Sequence, residues 1–400
     1  MDILLGTAIR KRALICKDND GVTPIHAAAS RGHLDCLTES IKLIKFNDIN
    51  VLDKKSRTPL MYAVGNAQWD CAEALMEYEK VDYLCVDNMG RGLMHRAAVM
   101  CDVKQCLTLI QKGADFVCED QFGVTPLHLA AKEGDAELVE ILLNRKAPLK
   151  EDANGLTPFE WAAAGGSVAV LEVIRPYRHR SNIFMSILIA ASCNRFNVCK
   201  YLLDDLPECI NAINHCGWTA LHYASHSGYT DLVRLLVDHG ADASAVDLLL
   251  RTPLMLAAMS SEDRLSSVVV AGIVSQTLIN AGASIVLRDI DGNSALHLAC
   301  LSKNEDVARY ILKRLDPPQD DGHAEHIVNS VNSKKETFDE RDRLPALAAI
   351  EDDDIAECAS FLISILLDNP GSARTSAVTD CPSRRKRASM DTTETDSEFY

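Results

Sequence analysis

Apolar residues alternate along the chain in two modes. A short alanine-rich run such as Leu127-His128-Leu129-Ala130-Ala131 is followed, past a glycine, by a stripe at i, i+3, i+4 spacing such as Leu138, Val139, Ile141, Leu142 and Leu143. The stripe spacing is helical, and the alanines give the preceding helix one small face on which a neighbour can approach closely. Each block therefore predicts two short helices. Ahead of the first, Asp120-x-x-Gly123 predicts a tight turn whose glycine can take positive φ. Thr125 stands where a hydroxyl caps the helix, Pro126 occupies the first turn, where its missing N–H costs nothing, and Gly134 ends it.

The block repeats. Its core recurs as TPIH at Thr23, TPLM at Thr58, GLMH at Gly92, TPLH at Thr125, TPFE at Thr157, MSIL at Met185, TALH at Thr219, TPLM at Thr252, SALH at Ser294 and LPAL at Leu344. Successive spacings are 35, 34, 33, 32, 28, 34, 33, 42 and 50 residues. A period near 33 with this core, then Ala-Ala-x-x-Gly and an apolar second helix, resembles the ankyrin repeat. The resemblance covers about Lys17 to Asp368. It implies an all-α solenoid of about ten stacked units, each a finger turn followed by two antiparallel helices, with protein binding on the concave face. One repeat alone would leave its apolar stripe in water, so stability is shared between neighbours.

Departures from the pattern set the expected boundaries. Residues 1–16 read as the remnant of a preceding repeat or an improvised N-terminal cap, 17–368 as the array and 369–400 as a disordered Ser/Thr-rich tail. The sixth copy lacks Thr and Pro and is short, which predicts a missing finger between Arg178 and Phe184 and a notch in the binding face. An insertion of about nine residues falls between Met259 and Ala271, within the helical part of the eighth repeat, and a loop rich in Pro, Asp and Gly spans about 316–342. Ile355 to Leu367 reads as a last helix behind the acidic run Glu351 to Asp354.

Charge narrows the partners. The formal net charge is -16, and the segment 369–400 holds five residues of each sign, so the array carries the deficit. Such a surface repels phosphate backbones and anionic lipid, and neither nucleic acid nor membrane is expected as a partner. No apolar run reaches the roughly 18–20 residues of a membrane span. No basic region precedes an apolar run at the amino end, so the chain is expected in the cytoplasm, the nucleus or both. The 14 cysteines are scattered singly, without Cys-x-x-Cys, and read as reduced and mostly buried thiols, Cys36, Cys71, Cys106 and Cys199 among them.

No enzyme constellation is present: the chain has no Gly-x-Ser-x-Gly, no phosphate-binding glycine loop and no kinase signature, and no cofactor is expected. His26, His95, His128, His222 and His297 share the fourth place of the core, which argues for bonds locking one repeat to the next. His222 and His226 have the i, i+4 spacing of helical metal ligands, but no carboxylate completes a site. Tyr62 and Trp161 occupy a position usually held by leucine and read as core. Partner contacts are expected where the fold leaves side chains free: Met89, Val99, Met100, Phe122, Phe184, Trp218, Leu248, Leu249 and Met259. Either they anchor a folded partner or the fingers pack them on one another. In the tail, Arg384 to Arg387 reads as a nuclear-import patch, with Ser389 and Ser397 as candidate phosphosites.

The C-terminal third narrows the resemblance. SALHLAC from Ser294 to Cys300, Tyr310-Ile311-Leu312-Lys313, Leu344-Pro345-Ala346-Leu347-Ala348-Ala349, Asp354 to Cys358 and the closing Asp396-Ser397-Glu398-Phe399-Tyr400 are similar to the regulatory ankyrin repeat subunits of serine/threonine-protein phosphatase 6. That resemblance implies a non-catalytic subunit joining a phosphatase catalytic chain, through its scaffold subunit, to substrates. The competing reading is an ankyrin adaptor for an unrelated cytoskeletal, signalling or ubiquitin-ligase partner.

Overall fold

The computed structural model describes residues 16–43, 49–78, 80–177, 183–259 and 265–315. All of the expected terminal segment 1–16 but its last residue, the loop at 316–342, the last repeat at Leu344 and the tail with Ser389 and Ser397 lie outside the described residues. Within them the chain is helical, with no strand.

Among the described residues nine helix pairs follow one another: α1 Pro24–Arg31 and α2 Leu34–Leu43; α3 Pro59–Gly65 and α4 Trp69–Met76; α5 Leu93–Val99 and α6 Val103–Gln111; α7 Pro126–Glu133 and α8 Ala136–Asn144; α9 Pro158–Gly165 and α10 Val168–Ile174; α11 Ile183–Ser192 and α12 Phe196–Asp205; α13 Ala220–His226 and α14 Thr230–Asp238; α15 Pro253–Ala258 and α16 Leu265–Asn280; α17 Ala295–Leu301 and α18 Glu305–Leu315. The odd-numbered helices stack on one another without a break from α1 to α17. Their contact surfaces are the predicted small faces: Ala28, Ala29, Ala97, Ala98, Ala130, Ala131, Ala162, Ala163, Ala257 and Ala258 are all buried. The second helices close the other side with Leu37, Leu75, Leu109, Leu138, Leu142, Leu171, Leu202 and Leu236. One continuous core thus runs through the described repeats, as the quasi-one-dimensional architecture requires.

Gly165 shows how close the first helices come. A Cβ there would lie 2.0 Å from the Lys132 carbonyl oxygen of α7, so only glycine permits this approach of α9. Capping follows the sequence expectation: Thr58 Oγ1 accepts from the Met61 N–H at 3.2 Å, and Gly134 ends α7 at φ 85°.

The insertion in the eighth repeat falls in its helical part, as read from the sequence: α16 runs to 16 residues, and residues 260–264 lie outside the described set. Two expectations change. Cys36 is exposed, although Cys71, Cys106 and Cys199 are buried as expected. Tyr62 and Trp161 are half-buried, because each carries a polar end that the leucine position would not serve.

Candidate protein-binding surface

A recurring carboxylate builds each finger. Asp53 Oδ1 accepts from the N–H groups of Lys55 and Arg57, both at 2.8 Å, folding the turn around one side chain. Asp18, Asp87, Asp120, Asp152, Asn214, Asp247 and Asp289 repeat the arrangement. The second oxygen ties the finger to other elements. Asp53 Oδ2 accepts from Tyr62 Oη at 2.8 Å, Asp87 Oδ2 from Arg96 Nη2 at 2.7 Å, and Asp152 Oδ2 from Trp161 Nε1 at 2.9 Å. These polar ends, nine residues beyond the aspartate, were not read from the sequence; the signal is a Tyr, Arg or Trp in place of leucine.

Asp247 is held by three groups. Trp218 Nε1 donates to Oδ2 at 3.0 Å from the preceding finger, and Arg251 Nε and Nη2 donate at 2.9 and 2.8 Å. Burial pushes the Asp247 carboxyl up, but the bonds from Arg251 outweigh it and hold the group below the ordinary carboxylate value. Trp218 also stacks near His222 and meets Tyr223 and His226 edge-on. Among the expected contact residues it is therefore the one most engaged inside the fold.

Finger tips are joined by backbone bonds. Lys54 N–H donates to Asp20, Asn88 to Lys55, Gln121 to Met89 and Ala153 to Phe122, at 2.8–2.9 Å. A second run joins Leu248 to Cys216 at 3.0 Å and Ile290 to Leu249 at 3.1 Å. Among the described residues no such bond links the two runs; the interruption falls at the sixth block, where the sequence predicts the missing finger.

The histidines act as expected in four places. Thr23 N–H donates to His26 Nδ1 at 3.2 Å, which makes Nε2 the protonated nitrogen, and Nε2 donates to the Arg57 carbonyl of the next finger at 3.0 Å. His95, His128 and His222 reach Val124, Leu156 and Arg251 in the same way, at 2.9, 3.2 and 3.1 Å. Glu160 stands at this place in the fifth repeat. Its Oε2 accepts from the Thr157 N–H at 2.9 Å and its Oε1 accepts from buried Ser186 Oγ at 3.0 Å. Where the following repeat presents a hydroxyl, the lock residue is an acceptor.

The candidate contacts form no single cluster. Met89 and Phe122 lie on consecutive tips of the first run, and Leu248 and Leu249 on the second. Phe122 is 49% exposed and Leu248 72%; Met89 and Met100 are half-buried. Val99 and Met259 are exposed at the ends of α5 and α15, and Phe184 is exposed at the start of α11, apart from both runs. Sequence reasoning missed Leu250 and Ile290, both exposed beside Leu248 and Leu249. Among the described residues no group of three His, Cys, Asp or Glu could hold a metal, and no helix is long and apolar enough to cross a membrane.

Profiles of ankyrin repeats match residues 2–87, 37–120, 94–184 and 174–247, and a single-repeat profile matches 291–321. The chain belongs to the ankyrin-repeat family. Such repeats are generally non-catalytic and bind folded protein partners. Among its relatives, human transient receptor potential cation channel subfamily A member 1 is 28% identical over 206 residues, 48% of this chain and 18% of the channel. Dog inversin is 30% identical over 58% of this chain and 22% of its own length. The mouse B-cell lymphoma 3 protein homolog is 26% identical over 60% and 49%. The ankyrin chain thus spans less than half the length of each. None of these three relatives is named as a phosphatase subunit.

Proposed function

We propose that this ankyrin chain is a non-catalytic scaffold that binds a folded protein through its finger tips, with Leu248-Leu249-Leu250 as the main anchor. One observation carries the reading. Leu250 sits in the left-handed region at φ 57°, where Gly21, Gly90, Gly123, Gly155, Gly217 and Gly292 occupy the same place in other fingers. A leucine there costs about 1–2 kcal/mol relative to right-handed backbone. The side chain recovers little of this by burial, being 48% exposed. Strain carried by an exposed apolar residue points to contact outside the fold.

The finer reading, a serine/threonine phosphatase catalytic chain with its scaffold subunit as partner, rests on the motifs of the C-terminal third. A cytoskeletal, signalling or ubiquitin-ligase partner is the alternative. Singly placed cysteines favour a reducing compartment, cytoplasm or nucleus. The deciding experiment is purification of the full chain with its partners beside Leu248→Ser/Leu249→Ser. Partners lost from the double variant, with an unchanged unfolding midpoint, support the anchor; an unchanged partner set overturns it. Among partners lost, a phosphatase catalytic chain supports the finer reading, and its absence leaves the adaptor.

A further inference from the structure

The place four residues after the helix cap is held by a neutral side chain in most repeats: Tyr62, Leu129, Trp161, Tyr223, Leu256 and Leu298. The third repeat puts Arg96 there. Its tie to the finger does not require a charge, since Tyr62 and Trp161 make the same bond to Asp53 and Asp152 with an O–H and an N–H. Asp87 moreover has its own arginine, Arg91, at 3.3 Å, as Asp53 has Arg57 and Asp247 has Arg251. Arg96 Nη2, 2.7 Å from the same oxygen, therefore places a second guanidinium on one carboxylate. That is one positive charge more than the aspartate–arginine pairs of the second and eighth repeats carry.

The fold satisfies this guanidinium only in part. Among the described residues Nη2 donates to Asp87, whereas Nε is buried without a partner and Nη1 has none. Nη1 extends over α3, where a Cβ on Gly65 would lie 3.4 Å from it, and the side chain keeps 20% of its surface exposed. One turn earlier on the same face of α3, the Arg57 guanidinium lies 4.5 Å from the centre of the Tyr62 ring, with its Nε and Nη2 engaged by Asp53 and Tyr62. Burial pushes Arg96 below the ordinary arginine value; Asp87 opposes this, and repulsion from Arg91 and Arg57 adds to it. A bound anion would relieve that repulsion and give the unused N–H groups an acceptor.

We propose that Arg57 and Arg96, flanking the face of α3 that carries Tyr62 and Gly65, form a binding site for a carboxylate, supplied by an aspartate or glutamate side chain of a folded protein partner. One excess charge matches a singly charged carboxylate, and the chain's net charge of -16 disfavours a doubly charged phosphate. The protein source of the carboxylate rests on the scaffold reading. The site itself does not, and it lies in the first run of fingers, apart from Leu248 and Leu249.

The test uses the full chain with nitrogen-labelled arginine and follows the Nε–H signals by NMR while sodium acetate replaces sodium chloride at constant ionic strength. The expected result is a saturable shift of Arg96 and Arg57, with a dissociation constant on the order of 10 mM, and only a linear drift at Arg251, whose aspartate has no second arginine. Arg96→Tyr rebuilds the arrangement of the second repeat, a neutral O–H on the aspartate, and should abolish saturation at Arg57 with the thermal midpoint retained. Leu248→Ser/Leu249→Ser should leave the acetate titration unchanged, so the anchor and the carboxylate site fail separately. A drift at Arg96 no different from that at Arg251, or saturation at Arg57 that survives Arg96→Tyr, overturns the site. Inorganic phosphate binding tenfold more tightly than acetate would assign the site to a doubly charged group and also overturn the proposal.

Discussion

At the scale of the residue, the array distinguishes side chains that hold repeats from side chains left for others. Phe122 is half exposed with its ring free of hydrogen-bonding demands, so Phe122→Ala should change unfolding free energy by less than about 0.5 kcal/mol in urea titration. Trp218→Ala removes the indole donor from buried Asp247, and should cost about 1–3 kcal/mol in the same measurement. Leu250→Gly relieves left-handed strain but loosens the unfolded chain; the relief of strain outweighs the added freedom, so stability should rise by up to about 1 kcal/mol while partner recovery falls. The histidine locks were legible because the residue type recurs at one place in the core. Glu160 was not, because its partner hydroxyl comes from Ser186, 26 residues away in a block without the usual core. The third repeat hides a similar substitution. Gly92 has no hydroxyl to offer His95, and the Cys118 thiol lies 3.5 Å from Nδ1 where a threonine oxygen stands in other repeats. Burial pushes that thiol up to about 11, so it remains protonated beside the ring.

At the scale of the element, helix positions were the most legible part of the fold. Pro at the first turn and the Ala-Ala pair mark α1, α7 and α15 because each residue has a local reason to be there. The extent of α16 was less legible: the insertion could be placed in the helical part of the eighth repeat, but the apolar run Val268 to Val274 carries no cap residue that sets where the helix begins. Finger geometry could be read only as a turn; the aspartate that organises it bonds through space to Tyr62, Arg96 or Trp161. Helix spacing yields its own prediction at Gly165. Alanine is the better helix former by about 1 kcal/mol, but its Cβ would meet the Lys132 carbonyl and force α7 and α9 apart, an overpacking cost of about 1–3 kcal/mol. Gly165→Ala should therefore lower the thermal midpoint, and local hydrogen exchange should rise first in the fourth and fifth repeats.

At the scale of the whole molecule, the locks couple stability to pH. Burial holds His26, His95, His128 and His222 below 6.5, the opposing carbonyl bonds notwithstanding, and burial together with Arg288 brings His297 to about 4. Depressed folded values mean that the neutral rings stabilise the fold above pH 6.5 and that this contribution is lost as pH falls through those values. The physical cause is plain: a proton on Nδ1 would face the cap N–H that it now accepts from. The thermal midpoint should be level from pH 8 to 7 and decline between about 6.5 and 4, with a shallower decline in His128→Gln. Asp53 and Asp247, whose folded values lie below 3.8, contribute only to losses at still lower pH. The interrupted row of finger tips has a mechanical consequence. Stretched from its two ends, the solenoid shares the load across every joint, and among the described residues the joint between the fifth and seventh fingers has none of the tip-to-tip backbone bonds found within the two runs. That joint is the compliant coil of the spring, and in an optical trap the array should lengthen there before any other repeat gives way.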